Sequence, residues 1–359
     1  MGVFNFKQGE TIYKYELQNK IGGGEFGEVW LAIDRSIGTQ VAIKLLDGKN
    51  ASVDERLIEA QIGNHLDHQN LIKVHYADVV DYNGIPLVII SMDYQNQGSI
   101  VGKLNSRNFL PLPQLLSSSI DILRGLEYLH EQNMFHNDIK PSNILLGPHN
   151  EAILTDYGIT CYSPGKQPVE PRSFYRLHVA PETLIQNQVS VLSDIYQTGL
   201  TIFRLLNGIG LVRNRLTQVG NWDAYNDLVK CGQIVLPQDY QPFVPRNLKT
   251  IINKTIDPDA TKRCSSALDL RRSLEKLSYS GFWTTDSTGK YIGEDSRYFY
   301  TFEEIANGHQ KSIFYAYKES KETRRLTRIT KFCRKNLTDR DLNSTKIAYM
   351  QSVVIGNLG

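Results

Sequence analysis

The hydrophobic pattern of this chain changes period near residue 95, and that change limits the folds open to it. Before that point the apolar runs are short. VWLAI and QVAIKLL read as strands, separated by DRSIGT, whose Gly and polar residues mark a turn. DERLIEAQIGNHL carries Leu57, Ile58, Ile62 and Leu66 on one side and predicts a helix, and PLVIISMDY reads as a buried strand. After NQGS the runs lengthen. LPQLLSSSIDILRGLEYLHEQ places Leu115, Ile122, Leu126 and Leu129 near the helical period, and VSVLSDIYQTGLTIFRLLNG is long and apolar enough for a buried helix. SALDLRRSLEKL closes this part. The expectation is an α+β, bilobed chain: a β-rich lobe over residues 1–94, a helical lobe over 95–279, and an accessory segment over 280–359 outside the main body. That last segment is rich in aromatics and turn residues.

Hydrophobic residues make up 41% of the 359 and charged ones 22%, enough apolar mass for a sizeable core. The net charge of +2 does not by itself argue for nucleic acid. The four cysteines stand far apart with no C-x-x-C pair, which fits neither a zinc site nor a disulfide framework and suits a reducing compartment. MGVFNFKQGE has no signal-peptide core, and Phe6 sits where a myristoylation signal needs Ser or Thr. PLVIIS is too short to span a bilayer. A cytoplasmic protein without membrane attachment is expected. Between Lys318 and Lys335, however, eight Lys or Arg face only two Glu. This run predicts a solvated helix face or a clamp onto the protein's own acidic surface; the sharper alternative is a docking surface for an acidic partner, RNA or a nucleoprotein.

Chemistry-bearing residues recur along the two lobes. In IGGGEFGEVW, Gly22, Gly24 and Gly27 give G-x-G-x-x-G, which lets backbone N–H groups approach phosphate oxygens without a Cβ between them. A dinucleotide-binding turn has the same spacing but opens a helix, whereas EVWLAID continues as a strand; a tight hairpin with no ligand is the plain alternative. Lys44 ends VAIK inside an apolar strand, where its charge needs a partner, and Glu59 on the following helix can supply one. FHNDIKPSNILL then brings Asp138, Lys140 and Asn143 together. An Asp can deprotonate a hydroxyl, a Lys two residues on can offset phosphoryl charge, and an Asn can offer a metal an oxygen. Asp156 in TDYG adds a carboxylate suited to Mg²⁺.

In this order and at these gaps the residues resemble the catalytic domain of eukaryotic-type (Hanks-type) serine/threonine protein kinases, over roughly residues 13 to 277. The matching elements are Gly22-x-Gly24-x-x-Gly27-x-Val29, Val41-Ala42-Ile43-Lys44, Glu59, His136-x-Asp138-x-Lys140-Pro141-x-Asn143, Asp156-Tyr157-Gly158 and Ala180-Pro181-Glu182. The resemblance implies ATP in a cleft between lobes, contacted by Ile21, Gly22, Gly24, Gly27, Val29, Ala42, Lys44, Met92, Asp93 and Tyr94. It implies Asp138 as catalytic base with Lys140 beside it, Lys44 fixed by Glu59 on the α- and β-phosphates, and Asn143 and Asp156 on Mg²⁺. Lys140 favours Ser or Thr of a protein substrate as acceptor. Asp194 resembles the Asp that braces the catalytic loop, and Arg263 the partner of Glu182. A compact body with a short tail further suggests a bacterial or phage-type regulatory kinase.

Four departures qualify this picture. Asn137 replaces an Arg that, in the family, meets a phosphate on the activation segment, so control rather than chemistry should change. Tyr157 stands for Phe. Gly63, one turn after Glu59, is expected to leave space beneath its helix and make it mobile. SFYRLHVAPE lacks the Thr that Ser/Thr kinases carry there. A nucleotide-binding pseudokinase scaffold and a small-molecule phosphotransferase are the competing readings. The first sits poorly with the retained Lys44, Glu59, Asp138, Asn143 and Asp156, the second with the retained Ala-Pro-Glu.

Overall fold

The computed structural model describes residues 5–24, 27–47, 53–104, 109–306 and 312–358. Its first lobe is an antiparallel sheet of β1 (Thr11–Ile12), β2 (Tyr15–Gly24), β3 (Gly27–Asp34), β4 (Thr39–Asp47), β5 (Val74–Tyr82) and β6 (Ile85–Met92), ordered β1-β2-β3-β4-β6-β5. Asn83 and Gly84, both at positive φ, make the two-residue turn that joins β5 to β6 in register Tyr82↔Ile85. Alternation along the strands divides the sheet into two apolar faces. Tyr15, Leu17, Trp30, Ile43 and Leu87 pack on one, while Ala42, Leu46, Val88, Ile90 and Met92 join the larger core on the other.

Helix α1 (Val53–His65) lies against β5. Gly63 is not over an empty space: a Cβ built there would sit 2.3 Å from Val74 Cγ2 and 3.2 Å from Tyr157 Cδ2. The glycine allows close approach, and Val74, at the start of the strand that follows α1, fills the volume that a larger residue would take. The expectation that Gly63 leaves space beneath its helix is therefore corrected.

The second lobe is helical: α2 (Leu112–Glu131), α3 (Pro181–Gln186), α4 (Val191–Asn207), α5 (Leu211–Val219), α6 (Trp222–Lys230), α7 (Arg246–Thr255) and α8 (Ala267–Glu275). Ser190 caps α4 through its side chain, with Ser193 returning the contact as a capping box. Every residue of α4 from Ser193 to Asn207 is buried. Four short strands sit above it and carry the site: β7 (Met134–Phe135), β8 (Ile144–Leu146), β9 (Ala152–Leu154) and β10 (Cys161–Tyr162), paired β7 with β10 and β8 with β9.

The third segment forms β11 (Gly281–Thr285), β12 (Tyr291–Asp295), β13 (Tyr298–Ala306), β14 (Ser312–Ser320), β15 (Leu326–Arg328) and β16 (Arg334–Leu337), then α9 (Asp339–Ile355). The strands run in the order β11-β12-β13-β14-β15, with β16 also on β14. Two expectations change here. The basic run is the end of β14, then β15, a 3-10 turn and β16, not a helix face. Pairing on β14 fixes this, with Tyr317 opposite Arg328 and Phe314 opposite Arg334; Ile329 and Phe332 are buried while Arg325, Arg328, Lys331, Arg334 and Lys335 stay exposed. Nor does the segment lie outside the body. Phe109, Phe243 and Tyr291 cluster with ring centroids 5.1–6.4 Å apart, so the helical lobe and β12 share one core. Tyr291 donates to Gln241 Oε1 at 2.6 Å, and Gln351 Nε2 in α9 donates to the Val244 carbonyl at 3.0 Å. Among the described residues no helix is long and apolar enough to cross a membrane.

Candidate active site

Directly opposed residues of antiparallel strands share a face. Register pairs Val29 with Lys44 and Lys44 with Ile90, and pairs Ala42 with Met92, so one face presents Lys44 beside the apolar Val29, Ala42 and Met92. That face turns toward the second lobe. Gly22 and Gly24 run down β2 opposite Val29 and Gly27, and Ile21 is exposed at the rim. Gly27 has φ +145°, and a Cβ there would lie 2.2 Å from the Leu45 carbonyl oxygen, so no other residue fits the turn. Asp93 and Tyr94 follow β6; Asp93 accepts from His75 Nε2 at 2.6 Å, and Tyr94 packs on the core.

Lys44 is buried, and its Nζ donates to Asp156 Oδ1 at 3.0 Å. Burial alone would raise the Asp156 carboxyl, but the Lys44 charge and hydrogen bond, with Lys140 behind them, hold it at about 2. Asp156 has φ +74° in the turn that presents it. Glu59 belongs to α1, but its side chain lies outside the described residues, as does the expected Lys44–Glu59 pairing.

Loop 136–143 gathers the remaining groups. Lys140 Nζ donates to both oxygens of Asp138 at 2.9 and 2.7 Å, and Asn143 Nδ2 donates to Asp138 Oδ2 at 2.8 Å and to its carbonyl at 3.0 Å. Asp138 is thus clamped from two sides while Asn143 turns its oxygen elsewhere. A hydroxyl brought to Asp138 would find a fixed acceptor with a cation beside it.

A polar stripe on α4 holds this loop, and only its first member is anticipated from the sequence. Asp194 accepts from the His136 and Asn137 amides, both at 2.8 Å, and contacts His130 Nε2 at 2.9 Å. Gln197 accepts from the Ile139 amide at 2.9 Å and donates to the Asn137 carbonyl at 3.0 Å. Thr201 Oγ1 donates to the Ile139 carbonyl at 3.1 Å. His178 Nδ1 donates to that same carbonyl at 2.8 Å, and its Nε2 accepts from Arg204 Nη1 at 2.6 Å. Burial, then the nearby Arg204, holds the His178 imidazole well below the usual histidine range. Positions 194, 197, 201 and 204 share one face of a helix that is otherwise mostly apolar, and that periodic polarity is the signal in the sequence.

The segment after Asp156 is tied down at several points. Cys161 and Tyr162 pair with Phe135 and Met134. Asn137, at φ +62°, donates from Nδ2 to the Ser173 carbonyl at 2.8 Å and less closely to Ile159 at 3.4 Å. Tyr175, in the stretch that lacks the Thr, lies with its ring 4.4 Å from Lys140 Nζ. Glu182 receives both Arg263 Nη1 and Nη2 at 2.9 Å, a fork-on-carboxylate contact that fixes the segment's far end.

The chain belongs to the protein kinase domain family, which it matches over residues 15–274. It is 26% identical over 275 residues to serine/threonine-protein kinase ATG1a of Arabidopsis thaliana, covering 75% of this chain and 41% of that protein. It is 24% identical over 347 residues to CBL-interacting serine/threonine-protein kinase 21 of the same plant, covering 92% and 78%. With serine/threonine-protein kinase PknD of Chlamydia muridarum it shares 27% over 323 residues, covering 76% and 32%. The chain therefore spans less than half of two of these three relatives.

The family uses ATP with a divalent metal, and the donor set here suits both. Asp156, kept ionised by Lys44, and the side-chain oxygen of Asn143 are hard oxygen ligands of the kind Mg²⁺ takes. The apolar face around Ala42 and Met92 beside Lys44 suits a base joined to phosphates.

Proposed function

We propose that this protein is an ATP-dependent kinase that phosphorylates Ser or Thr of protein substrates. The observation that carries the reading is the geometry at Asp138, whose carboxylate is held by Lys140 and Asn143 across from the Lys44–Asp156 pair. ATP with Mg²⁺ supplies the phosphoryl group and shields its charge when bound. Ile21, Val29, Ala42 and Met92 would enclose the base, with Asp93 and Tyr94 at its polar edge and the backbone of Gly22, Gly24 and Gly27 over the phosphates. Lys44, steadied by Glu59, would hold the α- and β-phosphates, and Asn143 and Asp156 the metal. Asp138 accepts the hydroxyl proton as the substrate oxygen bonds to the γ-phosphorus and the bond to the departing ADP oxygen breaks. Lys140 offsets charge on the group in transit. Incubation with labelled ATP and Mg²⁺ should label protein, and Asp138→Asn should lower the rate at least a hundredfold. Absence of protein label would favour the scaffold reading, and labelled metabolites in its place a small-molecule phosphotransferase.

Activity in this reading does not wait on phosphorylation of the activation segment. Supporting it, the Asn137 amide makes a direct hydrogen bond to that segment where an Arg would wait for a phosphate. We further read residues 1–94 and 95–279 as the two kinase lobes and 280–359 as a buttress on the second. Its exposed basic edge along β15 and β16 suits an acidic partner, RNA included.

A further inference from the structure

Arg204, the last member of the stripe under the catalytic loop, is a buried cation with no carboxylate among its hydrogen-bond partners. Its guanidinium donates Nε and Nη2 to the Ile209 carbonyl at 3.0 and 2.9 Å, and Nη1 to neutral His178. Those partners carry no charge. The contrast is Arg263, equally buried, whose fork is matched by Glu182. A guanidinium buried among neutral acceptors keeps a field that a facing carboxylate would cancel.

That field does not stand alone. Lys140 faces Tyr175, whose ring lies 5.6 Å from that of His178, so the two cations flank one aromatic–imidazole pair. Arg176, exposed, lies over the Trp222 ring at 4.2 Å. Arg213, exposed on the first turn of α5, is close enough to act on Arg204. Asp138 is taken up by Lys140, Asp239 pairs with Arg215 at 2.6 Å, and Asp223, on α6 beside Trp222, faces solvent. Lys140 and Asp138 offset each other, so the cationic excess of the wall next to Asp138 comes from Arg204, Arg176 and Arg213.

We propose that this wall selects the substrate: the acceptor Ser or Thr lies in an acidic segment, whose Asp, Glu or phosphorylated residues meet Arg176 and Arg213 over the positive base formed by Arg204. The proposal rests on the protein-kinase reading and adds the substrate class to it. Carboxylates or phosphates there gain charge-assisted hydrogen bonds, and at physiological salt the field still reaches about 8 Å.

The test uses the full chain with three Ser/Thr peptides alike except for flanking Asp and Glu, Ala and Gln, or Lys and Arg. The acidic peptide should show kcat/KM about tenfold above the neutral one, with the advantage shrinking as salt rises. The exposed pair serves for mutation, since Arg204 variants risk misfolding. Arg176→Glu with Arg213→Glu should bring the acidic-to-neutral ratio below one. Equal use of the three peptides, or a ratio the double variant leaves unmoved, overturns the proposal while the kinase reading stands. If neither these peptides nor any protein in a mixed lysate takes label, the kinase reading fails and this proposal with it.

Discussion

Asn137→Gly isolates the tie between the catalytic loop and the activation segment. Glycine accepts the left-handed φ of +62° without strain, and the position's backbone stays fixed by Asp194 and Gln197. The side-chain amide is lost, its bonded Nδ2 together with its Oδ1, which has no partner among the described residues. Its bond to the Ser173 carbonyl is 2.8 Å long and contributes about 1 kcal/mol net, while the 3.4 Å contact to Ile159 adds little. Counting the partly buried carbonyl left without its donor brings the loss to about 1–2 kcal/mol, a roughly 5- to 30-fold rise in the open form of the segment. Catalytic rate follows the docked fraction, so a segment that is ~99% docked would still be ~80–95% docked and lose little activity. Protease cleavage follows the open fraction and responds in full. Trypsin can attack the exposed Lys166 and Arg172, so phosphatase-treated Asn137→Gly should be cut there about tenfold faster than wild type. Asn137→Ala should be cut faster still, since Ala adds about 1 kcal/mol of left-handed strain. The reasoning is refuted if Asn137→Gly is cut at the wild-type rate. It is refuted equally if dephosphorylated wild type is inactive until phosphorylated between Cys161 and Ser173.

Other perturbations separate this structure from simpler expectations. Gly63→Ala should gain about 1 kcal/mol by helix propensity, yet its Cβ would meet Val74 at 2.3 Å. Overpacking of about 1–3 kcal/mol should win, so the urea midpoint falls, and Val74→Ala in the same chain should recover it. Arg263→Met strands Glu182 without its partner and should cost about 3–5 kcal/mol, read as the loss of urea stability against wild type. His136 and His178 are held neutral by burial, His178 also by Arg204. Below the ordinary histidine pKa of about 6.5 the unfolded chain binds protons that the folded one refuses, so stability is full above that pH and falls below it. The slope is at most about 1.4 kcal/mol per pH unit for each residue. Urea midpoints from pH 7.5 to 5.5 should drop less in His178→Gln, and an unchanged drop would contradict the assignment.

The sequence makes the candidate reacting groups legible because phosphoryl transfer needs fixed residue types at fixed gaps, so Asp138, Asn143 and Asp156 stand out before any fold is known. It conveys less about what holds them. Asp194, Gln197, Thr201 and Arg204 lie on one face of a buried helix, but a polar stripe shows its use only once the loop above it is placed. At position 137 the missing Arg is plain, whereas the reach of the Asn amide to Ser173 depends on a chain reversal 36 residues later. Gly63 looks like a vacancy because helical spacing does not show that Val74, at the start of the next strand, packs onto it. The basic run misleads for a related reason: counting charge says nothing of the pairing with β14 that makes it strand.

The kinase-domain match ends at residue 274, yet the shared packing of Phe109, Phe243 and Tyr291 crosses that line. The border of that match and the border of cooperativity therefore differ. Ending the chain after Glu275 would expose rings worth about 2–3 kcal/mol each in burial, a large share of the stability such a domain holds. The whole chain should melt in a single calorimetric transition, with the last eighty residues acting as part of the catalytic lobe's foundation and not as cargo attached to it.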